Sequence, residues 1–249
     1  MAFPTTGLVS YWKADESSGN MADSAGSNTL TNNNTATFTT GKINNAAVIA
    51  VSGAKFFSIT DAAQTGLDPT GDFSIQAWVY PTTLTNGQTY SMFIKDYAGG
   101  GGTARGYWLR TDGTSKTPDA LIFNANAAGN TGVTCTTAMS VNNWYHLVVT
   151  YDYISDGGSK LTIYLNGTQE AQSTTAVGPV QNTAATLGLG GRPQDASEYF
   201  EGRIDEIGFW NVELTSSQVT DLYNSGNGLA YTTAPTQASG DSMRAGFGF

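Results

Sequence analysis

The segment Glu198–Gly228, EYFEGRIDEIGFWNVELTSSQVTDLYNSGNG, limits the folds open to this chain more than any other stretch. Phe200, Ile204 and Trp210 alternate with polar or small residues, which predicts a half-buried closing strand over Tyr199–Trp210. Asp205 and Glu206 adjoin within it, so strict alternation turns one of them to the side of Phe200 and Ile204. A carboxylate facing a core must be paired, protonated or metal-bound. Next comes Thr215-Ser-Ser-Gln218, which has capping-box spacing. Val219, Leu222 and Tyr223 follow at helical intervals, and Gly226 is placed to end one short helix.

The rest of the chain reads as strands and polar turns. Gly7–Ala14 is a first strand leading into a polar loop, Asp15–Asn34. That loop offers Asp15, Glu16, Asn20 and Asp23 as oxygen ligands for a hard cation. It reads equally as a solvated loop that uses Asp, Asn and Gly for turn chemistry. Ala46–Val51 and Phe56–Thr60 are short strands, and Phe73–Pro81 (FSIQAWVYP) is the clearest central one, with Phe73, Ile75, Ala77 and Val79 on one side. Tyr90–Tyr97 and Arg105–Thr111 predict a hairpin around Gly99–Gly102. Asp119–Asn124 and Val133–Thr136 continue the meander. Trp144–Tyr153 is apolar on both sides, as expected of a strand covered twice. Lys160–Ser173 is a hairpin turning at Asn166-Gly167; Asn166-Gly-Thr168 also matches a glycosylation acceptor, but the tight turn accounts for it. Ala185–Gly191 is a further short strand. Residues 1–228 are expected to form one sandwich and 229–249 a C-terminal arm or tail.

Composition narrows the function classes. Of 249 residues only 12% are charged, 30 are glycine, and the formal net charge is −9. This suits an all-β chain rich in turns. It argues against nucleic acid as a partner, because neutralising phosphates takes clustered Lys and Arg. The single cysteine, Cys135, rules out an internal disulfide. No apolar run approaches the roughly 20 residues that span a bilayer, so membrane insertion is not expected. The first residues have neither a basic start nor an apolar stretch, so no secretion signal is read, and the expected location is extracellular or on a virion surface.

The ordered pieces GLVSYWKADESSGNMADSAG, FSIQAWVYP, NNWYHLVVTYD, LTIYLNGT and FEGRIDEIGFWNVELTSSQVTDLYNSG resemble the laminin-G-like branch of the concanavalin A-like lectin and glucanase superfamily, over roughly residues 7–228. The resemblance implies an all-β, two-sheet antiparallel jelly-roll sandwich with one short C-terminal helix. It also implies that the first and last strands are neighbours. A structural calcium ion would then sit between Asp15, Glu16, Asn20 and Asp23 of the first loop and Asp205 of the last strand.

Glucanases of that superfamily carry carboxylates at i, i+2 and i+4 on one strand face. Here the nearest pattern is Glu201, Arg203 and Asp205, in which an arginine takes the central place. His146 is the only histidine and lies in an apolar strand, where a hydrogen-bonded core role is expected. No nucleophile elbow is present. The chain is therefore expected to be no enzyme but a carbohydrate-binding or adhesion module, its partner a glycan or glycosylated surface. Trp108 and Arg110, with Asp96 and Tyr97, are the candidate sugar-binding residues. Alternation leaves open whether Trp108 and Arg110 or Tyr107 and Leu109 face outward. An alternative expectation is a structural virion protein, a capsid decoration or tail-associated subunit, contacting neighbouring subunits through its C-terminal arm.

Overall fold

A computed structural model describes residues 1–96, 105–123, 130–155, 157–176 and 178–232. The strands are β1 (Leu8–Trp12), β2 (Thr31–Asn33), β3 (Thr37–Thr40), β4 (Asn45–Ile49) and β5 (Phe56–Ile59). Then come β6 (Phe73–Pro81), β7 (Tyr90–Asp96), β8 (Arg105–Thr111), β9 (Pro118–Phe123) and β10 (Asn130–Thr134). The last five are β11 (Tyr145–Asp152), β12 (Ser159–Leu165), β13 (Thr168–Ala176), β14 (Leu187–Leu189) and β15 (Gly202–Trp210), with helix α1 over Ser216–Tyr223. One sheet runs β13-β12-β11-β6-β15-β4-β3, with β1 also paired to β15, and the other runs β10-β9-β8-β7-β14-β5-β2. The pairings within the sheets are antiparallel. The two sheets form a sandwich, as the sequence predicts.

Alternation builds the core between the sheets. Phe73, Ile75, Ala77 and Val79 of β6 meet Phe93 of β7 and Tyr107 and Leu109 of β8 in one buried cluster. The predicted strand bounds hold for Phe73–Pro81 and Arg105–Thr111. β2 and β3 are additions within and just after the predicted polar loop. Their Thr- and Asn-rich sequences carry no apolar alternation that would announce them. The glycines Gly99–Gly102, predicted as a hairpin tip, lie outside the described residues.

The closing strand departs from strict alternation. Asp205 lies opposite Trp78, yet Gly208 lies opposite Gln76, so the register slips at a bulge between them. Glu206 takes a left-handed φ of 49° there. Such an insertion lets successive side chains share a face. Ile204, Ile207 and Phe209 enter the core. Trp210, expected beside Ile204, packs instead in the second buried cluster, outside the sheet. Neither carboxylate therefore has to point between the sheets.

That second cluster is where α1 settles. Val219 and Leu222 of the helix pack with Tyr11, Val148, Tyr164 and Trp210, and Tyr231 joins them three residues past the expected boundary at 228. The predicted capping box is present: Thr215 Oγ1 accepts from Gln218 N–H at 3.3 Å and Gln218 Oε1 accepts from Thr215 N–H at 2.8 Å. The helix ends at Asn224, with φ 50°, rather than at Gly226. Gly167 of the β12–β13 turn has φ 78°, and a Cβ there would lie 2.9 Å from the Tyr223 ring, so the turn residue is fixed twice over. Among the described residues no helix is long and apolar enough to cross a membrane.

If apolar burial rather than capping holds α1 in place, Leu222→Ala should cost about 3 kcal/mol and Thr215→Ala about 1 kcal/mol. Urea unfolding of both variants measures this, and equal losses would contradict it.

Candidate functional site

The two outer faces of the sandwich differ in kind. On the eight-stranded sheet, α1 and its aromatic neighbours cover the part around Tyr11, Val148, Tyr164 and Trp210, and Arg203 lies over Tyr80 elsewhere on it. On the seven-stranded sheet, the strands present a set of guanidinium and carboxylate groups over aromatic rings. Tyr107 and Leu109 point into the core, which turns Trp108 and Arg110 outward. Trp108 is only 6% exposed, in a small cluster with Ile94 and Phe123. The Arg110 guanidinium lies 4.1 Å over its ring, and Phe123 meets it edge-on at 5.3 Å.

Charge pairs hold this array in place. Arg110 Nε donates to Asp119 Oδ2 at 3.1 Å, across the β8–β9 register that sets the two residues opposite each other. The Trp108 indole N–H donates to the same oxygen at 3.4 Å. Burial pushes the Asp119 carboxyl above its usual range and Arg110 opposes the shift. Asp96, at the end of β7, is fully buried beside Arg105 Nε at 3.4 Å and Arg192 at 3.9 Å. Burial also raises its pKa, against the pull of both arginines. Among the described residues neither Asp96 oxygen has a hydrogen-bond partner. Arg105 lies 4.7 Å over the Phe123 ring, and Arg192 pairs with Asp195 and Glu198.

The structure thus places Trp108, Arg110 and Asp96 on one face, while Tyr97 lies outside the described residues. It adds Arg105, Asp119, Arg192 and Glu198, which the sequence reading missed. Only the Arg110–Asp119 pair had a usable signal, since opposite charges across a predicted hairpin mark its register.

The oxygen atoms named for calcium serve other partners. Asp23 accepts from four backbone N–H groups, Tyr11, Ala25 and Gly26 on Oδ1 and Asn28 on Oδ2, at 2.8–3.0 Å. It bridges to Trp12 on the edge of β1 opposite to the edge that meets β15, so β1 stands between Asp23 and Asp205. Asn20 accepts from Asn32 N–H and Glu16 Oε1 from Ala22 N–H. Asp15 and Asp205 grip one turn from two sides: Asp15 accepts from Asn44 and Asn45, and Asp205 Oδ2 from the N–H groups of Lys42 and Ile43 at 2.7 and 3.0 Å. A Cβ on Gly41 would come within 2.6 Å of that Asp205 oxygen. Of these residues, Glu16 Oε2 and Asp205 Oδ1 are buried without a hydrogen-bond partner among the described residues. Among the described residues no group of three or more His, Cys, Asp or Glu is arranged to hold a metal ion. Asp23, saturated by amide donors and separated from Asp205 by β1, has little to offer a cation shared between the two.

His146 is buried and neutral, its pKa lowered to about 3 by desolvation, with Nε2 3.2 Å from Gln76 Oε1. That is the hydrogen-bonded structural role expected for it. Glu206 accepts from the Tyr11 hydroxyl. Burial pushes Asp205 up to about 8 and Glu206 up to about 7.

A family model described as Laminin_G_3, concanavalin A-like lectin/glucanases superfamily, matches residues 51–220. No curated protein sequence matches the chain. Among solved structures, domain 4 of AbnA, a GH43 extracellular arabinanase from Geobacillus stearothermophilus, in complex with arabinotriose, superposes with a TM-score of 0.61 at 23% identity, covering 86% of this chain and 97% of that one. The binding domain of Paraclostridial Mosquitocidal Protein 1 gives 0.68 at 15% identity, over 88% of this chain and 52% of that one. The binding domain of botulinum neurotoxin DC in complex with SialylT gives 0.64 at 11% identity, over 89% and 52%. This chain thus spans about half the length of the two toxin domains, and at these identities the likeness is one of fold.

Two tests follow from the carboxylate geometry. A raised carboxyl pKa stabilises the fold at low pH and the contribution is lost as pH rises through the folded value. Between pH 7.5 and 8.5 His146 is essentially neutral both folded and unfolded, so the melting temperature should fall over that window as Asp205 and the remaining Glu206 ionise. Asp205→Asn keeps an acceptor for Lys42 and Ile43 and should flatten the slope, gaining at least about 1 kcal/mol over wild type at pH 8.5. Chelation by EDTA should leave the melting temperature unchanged. A fall on chelation that added calcium reverses would place a cation at these oxygens after all.

Proposed function

This chain belongs to the Laminin_G_3 family of the concanavalin A-like lectin/glucanases superfamily, and on that premise we propose that it is a non-catalytic carbohydrate-binding module acting outside the cell. Its binding face is the outer face of the seven-stranded sheet, around Trp108, Arg110, Asp119 and Asp96. The observation that carries this reading is the array on the seven-stranded sheet, where two guanidinium groups paired with carboxylates lie over aromatic rings, while α1 covers the part of the other sheet around Tyr11 and Trp210.

Sugars present apolar C–H faces and rows of hydroxyls, and they are held by aromatic surfaces beside planar hydrogen-bonding groups. The Arg110 guanidinium is pinned by the ring below and the carboxylate beside it, so little conformational freedom is lost when it meets a ligand. A glycosidase of this superfamily needs two carboxyl groups flanking a bond. Here Asp205 is buried beneath the 41–45 turn, while Arg203 donates to Thr40 O and stacks on Tyr80, so the strand serves the fold rather than hydrolysis. Similar folds have been solved with arabinotriose and with SialylT, which supports a glycan as partner. The virion alternative rests on an arm whose residues from 233 onward lie outside the described residues, and no contact favours it.

Arg110→Lys keeps the charge next to Asp119 but loses the planar fork. It should weaken glycan binding by about tenfold or more, with the melting temperature changed by less than about 3 °C. A glycan array followed by calorimetry on the best ligand reads this out. Unchanged affinity in the variant would remove this face from consideration.

A further inference from the structure

The rim of the sandwich carries a groove apart from the sheet face. Two clefts, of about 490 Å³ and 360 Å³, meet there and share Glu201 as a wall. The larger lies within the size range of small-molecule sites. Its sides come from three segments remote in sequence: the turn after β4, the connection between β6 and β7, and the stretch leading into β15. Hydrogen bonds tie these walls together. Thr82 N–H donates to Glu201 O and Ser91 N–H to Glu198 O, each at 2.8 Å, and Val51 N–H donates to Glu201 Oε1 at 3.2 Å. Thr85 N–H donates to the Tyr90 hydroxyl at 3.1 Å, fixing the β6–β7 connection. The groove is therefore formed before any ligand arrives.

Its chemistry is that of a polyol site. Thr83 and Thr85 supply hydroxyls, Gln88 an amide, Glu198 and Glu201 carboxylates, and Tyr199 a phenol; no Lys or Arg lines the larger cleft. Tyr199 gives an independent sign of a ligand. It is 9% exposed, and its Oη is buried with no hydrogen-bond partner among the described residues. Native structures rarely leave a buried hydroxyl unpaired.

We propose that this groove is a second saccharide site, separate from the sheet face, that takes an uncharged oligosaccharide whose hydroxyls pair with Glu201, Gln88 and the Tyr199 hydroxyl. The proposal rests on the carbohydrate-binding reading for its ligand class, but its ligand contacts, Glu201, Gln88 and Tyr199, are not those of the sheet face; Glu198 alone borders both. Glu198 is paired with Arg192, so it is the Glu201 carboxylate that selects against sialic or uronic acids by charge repulsion. On the sheet face three arginines are paired with carboxylates, so both signs of charge are present there. Arg203, in the smaller cleft, marks the one end of the groove where positive charge enters.

The test is an NMR titration of the intact chain with arabinotriose and cellotriose as neutral probes and sialyllactose as the anionic one. Neutral probes should shift the amides of Thr85, Gln88 and Glu201, and sialyllactose should not. Tyr199→Phe, which removes only an unpaired hydroxyl, and Gln88→Ala should each weaken binding at those amides by about fivefold or more, while Arg110→Lys leaves it unchanged. The proposal is overturned if no neutral probe shifts the groove amides at about 10 mM, if sialyllactose shifts them as strongly, or if both groove variants bind as wild type. Shifts confined to the sheet face would sink the groove and spare the first site. Shifts confined to the groove would do the reverse.

Discussion

The register slip between Asp205 and Gly208 is the constraint from which the rest of the molecule follows. On one edge β15 pairs with β6 throughout, but on the other it changes partner at the slip, from β4 before it to β1 after it. The two carboxylates at the slip serve one partner each. Asp205 holds the turn that launches β4, and Glu206 receives the Tyr11 hydroxyl from β1. A straight strand would leave one of these neighbours unpaired and drive a carboxylate between the sheets, where burying it without donors is prohibitive. A left-handed residue at 206 is the smaller cost.

Much of the architecture was legible in the sequence because alternation reports which side of a strand is dry. It did so for β6, where four apolar residues on one side mark the core, and for α1, whose capping box announced its start. It failed where alternation itself is interrupted. Trp210 lands on the opposite face from Ile204 only because of the slip, and no propensity encodes a slip. β2 and β3 escaped because edge strands of Thr and Asn look like loops.

The site was legible in part, for a related reason. Trp108 and Arg110 share a side whichever way the strand faces, so naming the pair was possible, but choosing the face required the core partners of Tyr107 and Leu109. Asp119, Arg105, Arg192 and Glu198 come from separate segments, and only the sheet order brings them together. The loop acids illustrate the converse. Asp15, Glu16, Asn20 and Asp23 are the residue types that ligate calcium and also those that accept backbone amides in turns. Composition cannot separate the two uses, whereas four N–H groups converging on Asp23 can.

The marriage of the first strand to the last has a consequence for how the chain is made. Tyr11 emerges from the ribosome 195 residues before Glu206, which must hold it. At about 5–20 residues per second, the opening strand waits on the order of 10–40 s for its neighbour. Throughout that delay Tyr11 and Trp12 have only the loop that follows them as partner, through Asp23 and Asn28, and the edge of β1 that meets β15 stays open. Closure of this sheet is thus deferred until β15 has been made, however early the opening strand appears.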